Sequence, residues 1–174
     1  PKQLMDAIRA QKLTIEAILL THAHFDHIGG VEDVRAVSDA PVYVHQREAG
    51  WLTDPVRNGS ALFGMGDICG GKADVLLKGG ERLTFFGEDV HVLFTPGHSP
   101  GSVSYYWEKE QLLASGDVLF QGSIGRTDLP GGDYGTLMES IEKVLELPEE
   151  TRVLPGHGPE TTVEREQVGN PFIS

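Results

Sequence analysis

Leu4 and Ile8 stand four residues apart in residues 2–11, the spacing of one face of a helix. TIEAILL (14–20) then reads as a buried strand running into the polar loop THAHFDH. Beyond Gly29-Gly30, VEDVRAVSD sets Val31, Val34 and Val37 along one side of an amphipathic helix. PVYVH (41–45) is a short strand opened by proline, where a missing donor is tolerated. Residues 47–73 show no period. They hold Trp51, Pro55 and six glycines, which predicts a long loop with one helical turn, functional or mobile, such as a lid over a cleft.

From Val75 the period becomes two. Residues 82–86 and 90–95 alternate around Gly87 as a hairpin, and SVSYYW (102–107) pairs with QLLAS (111–115) across Glu108–Glu110. A further strand begins at Asp117–Phe120, ahead of the glycine-rich stretch 121–133. Tyr134–Leu147 is a helix with Leu137, Ile141, Val144 and Leu145 inward, stopped by Pro148. Residues 152–154 form a last strand before PGHG, and Thr161–Val168 a last helix capped by Thr161 or Thr162. Helices and strands mixed in this order predict sheets covered by helices, an α/β or α+β layered fold. No repeat or linker divides the 174 residues, so residues 1–174 are expected to form a single domain.

Charge narrows the partners. With 14 basic and 26 acidic residues the formal net charge is −12, which argues against nucleic acid and against an anionic membrane surface. The single cysteine, Cys69, excludes an internal disulfide and suits a reducing, cytoplasmic setting.

The chemistry lies in the histidines. Of seven, five sit in loops after strands, and three share His22-Ala23-His24-Phe25-Asp26-His27. Alternate residues of an extended segment point the same way, so His22 and His24 can grip one ion. Asp26 and His27 follow where the chain turns and can face a neighbouring point. Imidazole nitrogen and carboxylate oxygen suit zinc, manganese or iron. Four such residues cannot complete two coordination spheres, and three more stand in turn-rich loops: His98 in TPGHSPGS, Asp117 in SGDVLF and His157 in LPGHGPET. His45 and His91 lack that glycine setting and read as structural.

These motifs, THAHFDHIGG, TPGHSPGS, SGDVLF and LPGHGP in this order, resemble those of the metallo-β-lactamase fold hydrolases. Within that superfamily the chain is most similar to glyoxalase II (hydroxyacylglutathione hydrolase) and its short bacterial relatives without a C-terminal helical domain; GSIGRTDLPGGDY and GHGPETTVEREQVGNPF carry that likeness. The resemblance implies a four-layer αββα sandwich and a two-metal site. His22, His24 and His98 would hold one ion, Asp26, His27 and His157 the other, and Asp117 would bridge them. Zinc is the first expectation, with iron or manganese as alternatives. The expected reaction is hydrolysis of a small thioester such as an S-acylglutathione by a hydroxide bridging the two ions. Asp117 and Asp26 would be the catalytic carboxylates, with Asp26 steering or accepting a proton. Arg126 in GRTD is the expected substrate contact, since a guanidinium holds a carboxylate bidentately, against an equal expectation of a salt bridge to Asp128 or Asp133. Family members begin with strands that have no counterpart ahead of Pro1, so the chain is expected to be N-terminally truncated, with an open sheet edge compatible with oligomers.

Two other functions stay open. Persulfide dioxygenases share this fold, and in them a single iron would sit on His22, His98 and Asp117; Ile124, where those enzymes have cysteine, and the LPGGD that follows GRTD favour hydrolysis. A truncated domain could also bind metal and turn over nothing.

Overall fold

A computed structural model describes residues 2–173. It divides the chain into two compact units, Pro1–Leu77 and Lys78–Ser174.

The first unit is a three-stranded sheet with helical elements between its strands. Helix α1 (Lys2–Gln11) buries Met5 and Ile8, the face read from the sequence. Strand β1 is only Ile18–Leu19, shorter than the expected 14–20. Then come a four-residue helix α2 (Phe25–Ile28), helix α3 (Val31–Ser38), and strand β2 (Val42–His45). Strand β3 (Val75–Leu77) completes a parallel sheet of order β1-β2-β3, with Ile18 opposite Val42 and Val44 opposite Leu76. Parallel neighbours need crossover connections, which α2, α3 and the segment 46–74 supply.

That last segment keeps the helical turn and the long loop expected of it. It opens with a 3-10 helix, Gln46–Thr53, that buries Glu48, Trp51 and Leu52. The His45 side chain caps it by accepting from the Arg47 amide, the structural role expected of His45. Below the sheet Leu20, Ala23, Ile28, Val31, Val42, Val44, Trp51 and Leu52 form one apolar cluster. Val34 packs with Met5 and Ile8 in another. Arg35 ties the far side together: it pairs with Asp74, whose carboxyl also accepts from the Val42 amide at 2.8 Å.

The second unit carries a six-stranded sheet of order β11-β10-β7-β6-β5-β4. Strands β4 (Arg82–Phe85) and β5 (Glu88–Phe94) form the hairpin expected around Gly87, whose φ of 80° is the left-handed turn that glycine permits. Strands β6 (Val103–Trp107) and β7 (Leu112–Gly116) continue the antiparallel meander. Strand β10 (Arg152–Pro155) then joins β7 in parallel, and β11 (Thr161–Thr162) closes that edge. A small hairpin, β8 (Leu119–Phe120) with β9 (Ser123–Ile124), follows β7.

Helix α4 (Tyr134–Leu145) buries Leu137, Ile141 and Val144 in a cluster with Leu113, Leu119 and Val153. Its N-terminus is capped by Asp133, which accepts from the Thr136 amide at 2.7 Å. Helix α5 (Val163–Gly169) is capped by Thr162, one of the two expected threonines.

Candidate metal centre

Every predicted ligand lies where a strand has just ended. In the first unit the chain leaves β1 through Leu20 and passes into the ligand loop. His22 and His24 are both buried, with ring centroids 4.9 Å apart and rings nearly perpendicular. His24 is extended (φ −69°, ψ 152°) and caps the four-residue helix that holds Asp26 and His27. That helix was not foreseen, and it is how the next pair is turned away from the first. Its tight winding brings His27 to 4.0 Å from His22, centroid to centroid. His27 Nε2 stands 3.6 Å from Asp26 Oδ2. Asp26 is exposed, at the mouth of an open hollow of about 320 Å³ bounded by Leu4, Ile18, Leu20 and Val34.

In the second unit three loops do the same work. The β5–β6 loop is closed on itself: the Thr95 amide donates to the Ser102 carbonyl at 3.0 Å, and the Ser99 and Ser102 hydroxyls pair at 2.7 Å. His98 projects from it, fully buried. The chain turns at the end of β7, where Gly116 is left-handed, and presents Asp117. Because β10 runs parallel to β7 with Pro155 opposite Gly116, both strands end together. The Gly156 amide donates to the Gly116 carbonyl at 2.8 Å, which sets the His157 loop beside Asp117. Asp117 Oδ2 is then 3.6 Å from His98 Nε2 and 3.5 Å from His157 Nε2.

Those spacings discriminate. His98 Nδ1 lies 2.8 Å from the Arg126 carbonyl oxygen, which can only accept, so Nδ1 carries a hydrogen, and in the neutral ring Nε2 presents its lone pair to the carboxylate. At that distance a neutral imidazole makes no hydrogen bond to the carboxylate, and a cation between the two satisfies both lone pairs. Two ligands each at about 2.1 Å from a tetrahedral ion stand about 3.4 Å apart. The donor set therefore fits a divalent transition metal in chemistry and in spacing.

The sequence required supporting partners for the histidines without showing them. Arg126 is one, through its main chain. Its guanidinium is turned the other way, in a bidentate pair with Asp128 at 2.7 Å to each carboxylate oxygen. That is the salt bridge weighed against substrate contact, and it holds the Asp128 carboxyl down to about 2. Gly125 makes this support geometrically feasible. A Cβ there would overlap the Asp117 carbonyl oxygen and lie 3.4 Å from the His98 Cβ. In the first unit Thr21 Oγ1 lies 3.2 Å from His22 Nδ1, and Trp51 packs its indole on His24 at 5.7 Å between centroids. Trp51 is thus a support for a ligand as well as part of the core.

The family model of the metallo-beta-lactamase superfamily matches residues 2–157. Among curated relatives, the chain is 55% identical over 168 residues to the probable metallo-hydrolase YqgX of Bacillus subtilis (strain 168), covering 96% of this chain and 80% of that protein. It is 33% identical over 175 residues to the hydroxyacylglutathione hydrolase GloC of Haemophilus influenzae (strain ATCC 51907 / DSM 11121 / KW20 / Rd), covering 99% and 82%. Among solved structures, the BLEG-1 B3 metallo-beta-lactamase superposes with a TM-score of 0.96 at 52% identity, covering 99% of this chain and 84% of that one. TTHA1623 in a di-iron-bound form superposes with a TM-score of 0.88 at 43% identity, with the same two coverages.

Proposed function

The chain belongs to the metallo-beta-lactamase superfamily, and from that premise we propose that it is a metal-dependent hydrolase of a small thioester of the S-acylglutathione type. The observation that carries the metal half of this reading is Asp117, held between the Nε2 atoms of His98 and His157 at 3.6 and 3.5 Å. The likeness to a hydroxyacylglutathione hydrolase supports the substrate half. The family's metallo-hydrolases supply the enzyme class.

On this reading His22, His24, Asp26 and His27 of the first unit, and His98, Asp117 and His157 of the second, are the residues that would hold the metal. A divalent metal held there would supply a nucleophile at neutral pH, by lowering the pKa of bound water to about 7, and Lewis acidity for the acyl carbonyl. The chain's own contribution is to hold donors rigid. His98 is oriented by its Nδ1–H on the Arg126 carbonyl, and His24 by the Trp51 ring. A thiolate leaves without protonation, so this site needs no separate general acid. Asp26, exposed beside His27, would serve this site as a ligand. Arg126 would grip a substrate carboxylate by exchanging Asp128 for it; both side chains are exposed, so the exchange moves no packed group. Zinc is the first assignment, and the di-iron form of TTHA1623 makes iron a real alternative. A reducing compartment, the cytoplasm, suits the single exposed Cys69.

A second reading has its own support: BLEG-1, at 52% identity, is described as a B3 metallo-beta-lactamase, so a β-lactam is the rival substrate. One sample decides. Metal content per chain is measured beside hydrolysis of lactoylglutathione and of a chromogenic cephalosporin. About two metals with thioester turnover supports the proposal. Cephalosporin turnover alone selects the second reading. One iron per chain, with oxygen uptake on glutathione persulfide and no thioester turnover, would overturn both in favour of a dioxygenase.

A further inference from the structure

Glu48 belongs to none of the motifs above. It sits in the 3-10 helix Gln46–Thr53 with 0% of its surface exposed. Burying a carboxylate so completely is costly unless its oxygens are hydrogen-bonded. Its Oε2 accepts from the Ala23 amide at 2.7 Å, the short end of the N–H···O range and typical of a charged acceptor.

Ala23 lies between His22 and His24. Its own side chain is fully buried in the core cluster. A bond to the amide of the central residue of such a triplet fixes the backbone that carries both rings. The same 3-10 helix brings Trp51 against His24, three residues on from Glu48 and so on the same side of a 3-10 turn. The helix is itself anchored at its start by the His45 side chain.

We infer that Glu48 is a positioning residue for the metal centre: its buried carboxylate holds the Ala23 amide so that His22 and His24 present their nitrogens together. The inference rests on the proposed metal reading of those two histidines. It adds a carboxylate that supports two ligands at once through main chain, without contact to metal or substrate. Outer partners of this kind are worth about ten- to a hundredfold in metal affinity.

The full chain is titrated with Co(II), followed by its d–d absorption, and with Zn(II) in competition, for wild type, Glu48→Gln and Glu48→Ala. The amide of Glu48→Gln keeps an acceptor for Ala23 and loses the charge; Glu48→Ala loses both. The expected order is wild type, then Glu48→Gln, then Glu48→Ala, with the last about ten- to a hundredfold weaker and altered in its Co(II) spectrum. Unchanged affinity and spectrum in both variants would overturn the inference and leave the metal reading standing. A wild-type chain that takes up no Co(II) or Zn(II) sinks the metal reading first and this inference with it. Circular dichroism shows whether the variants fold. Should they not, hydrogen exchange at the wild-type Ala23 amide decides: slow exchange, slower still with Zn(II), supports the strut, and free exchange in the loaded chain overturns it.

Discussion

Replacing Gly125 by alanine tests whether the close approach at the centre of the second unit is required. The glycine does not have a positive φ, so alanine meets no backbone strain there; the obstacle is space alone. The added methyl would overlap the Asp117 carbonyl oxygen and stand 3.0 Å from its carbon. Both partners are main chain and neither can swing aside, so the segment bearing Gly125, just after β9, must retreat. Overpacking of this kind costs about 1–3 kcal/mol. For a chain of this length that is a fall in Tm of roughly 2–12 °C. The retreat also carries away the Arg126 carbonyl that orients His98, so metal affinity falls with stability.

Gly135 supplies the control. It lies in the first turn of α4, where a Cβ would meet only Asp133 Oδ1, at an ordinary 3.5 Å. Alanine there favours the helix by up to about 1 kcal/mol. Thermal melts of Gly125→Ala and Gly135→Ala, with metal content measured on the same samples, should therefore move in opposite directions. A Gly125→Ala chain with wild-type Tm and wild-type metal content would refute the packing argument.

Further expectations follow from the caps, the ion pairs and the ligands. Asp133→Ala removes the α4 cap and should cost about 1 kcal/mol, read as a drop of roughly 2–4 °C in Tm. Asp128 is depressed to about 2, chiefly by its hydrogen bonds from Arg126, whereas an unfolded aspartate titrates near 4. The folded value is the lower one, so the pair stabilises fully above about pH 4 and loses that contribution as pH falls towards 2. Denaturant titrations of wild type and Arg126→Ala should accordingly converge at acid pH; a gap that persists at pH 2 would contradict this. Chelation should lower Tm and abolish thioester turnover together, with both returning when Zn(II), Fe(II) or Mn(II) is restored.

The candidate ligands stand out in the sequence because they cluster locally, four in six residues, or sit in glycine-containing loops after strands. The hairpins and α4 were legible because alternation and the Leu137, Ile141, Val144 spacing are local signals too. What periodicity could not carry was pairing at a distance. Nothing in QLLAS or in residues 152–154 says that β7 and β10 run parallel and end together, yet that register brings Asp117 and His157 side by side. Residues 14–20 look like a longer strand than they form, because only Ile18 and Leu19 find ladder partners in β2. A helical turn is expected within 47–73, but nothing in QREAGW (46–51) says that it buries Glu48 against the Ala23 amide. Asp26 and His27 were placed correctly after a turn, but the sequence did not show that the turn is a helix.

Arg126 divides its labour in a way that bears on how such a protein can change. Its carbonyl steadies His98, and any amino acid supplies a carbonyl. Its side chain pairs with Asp128, and both side chains are exposed. The loop can thus exchange one outward group for another while the imbedded imidazole keeps its aim. New preferences could arise at this position at the cost of the surface pair with Asp128, while the carbonyl that aims His98 is kept.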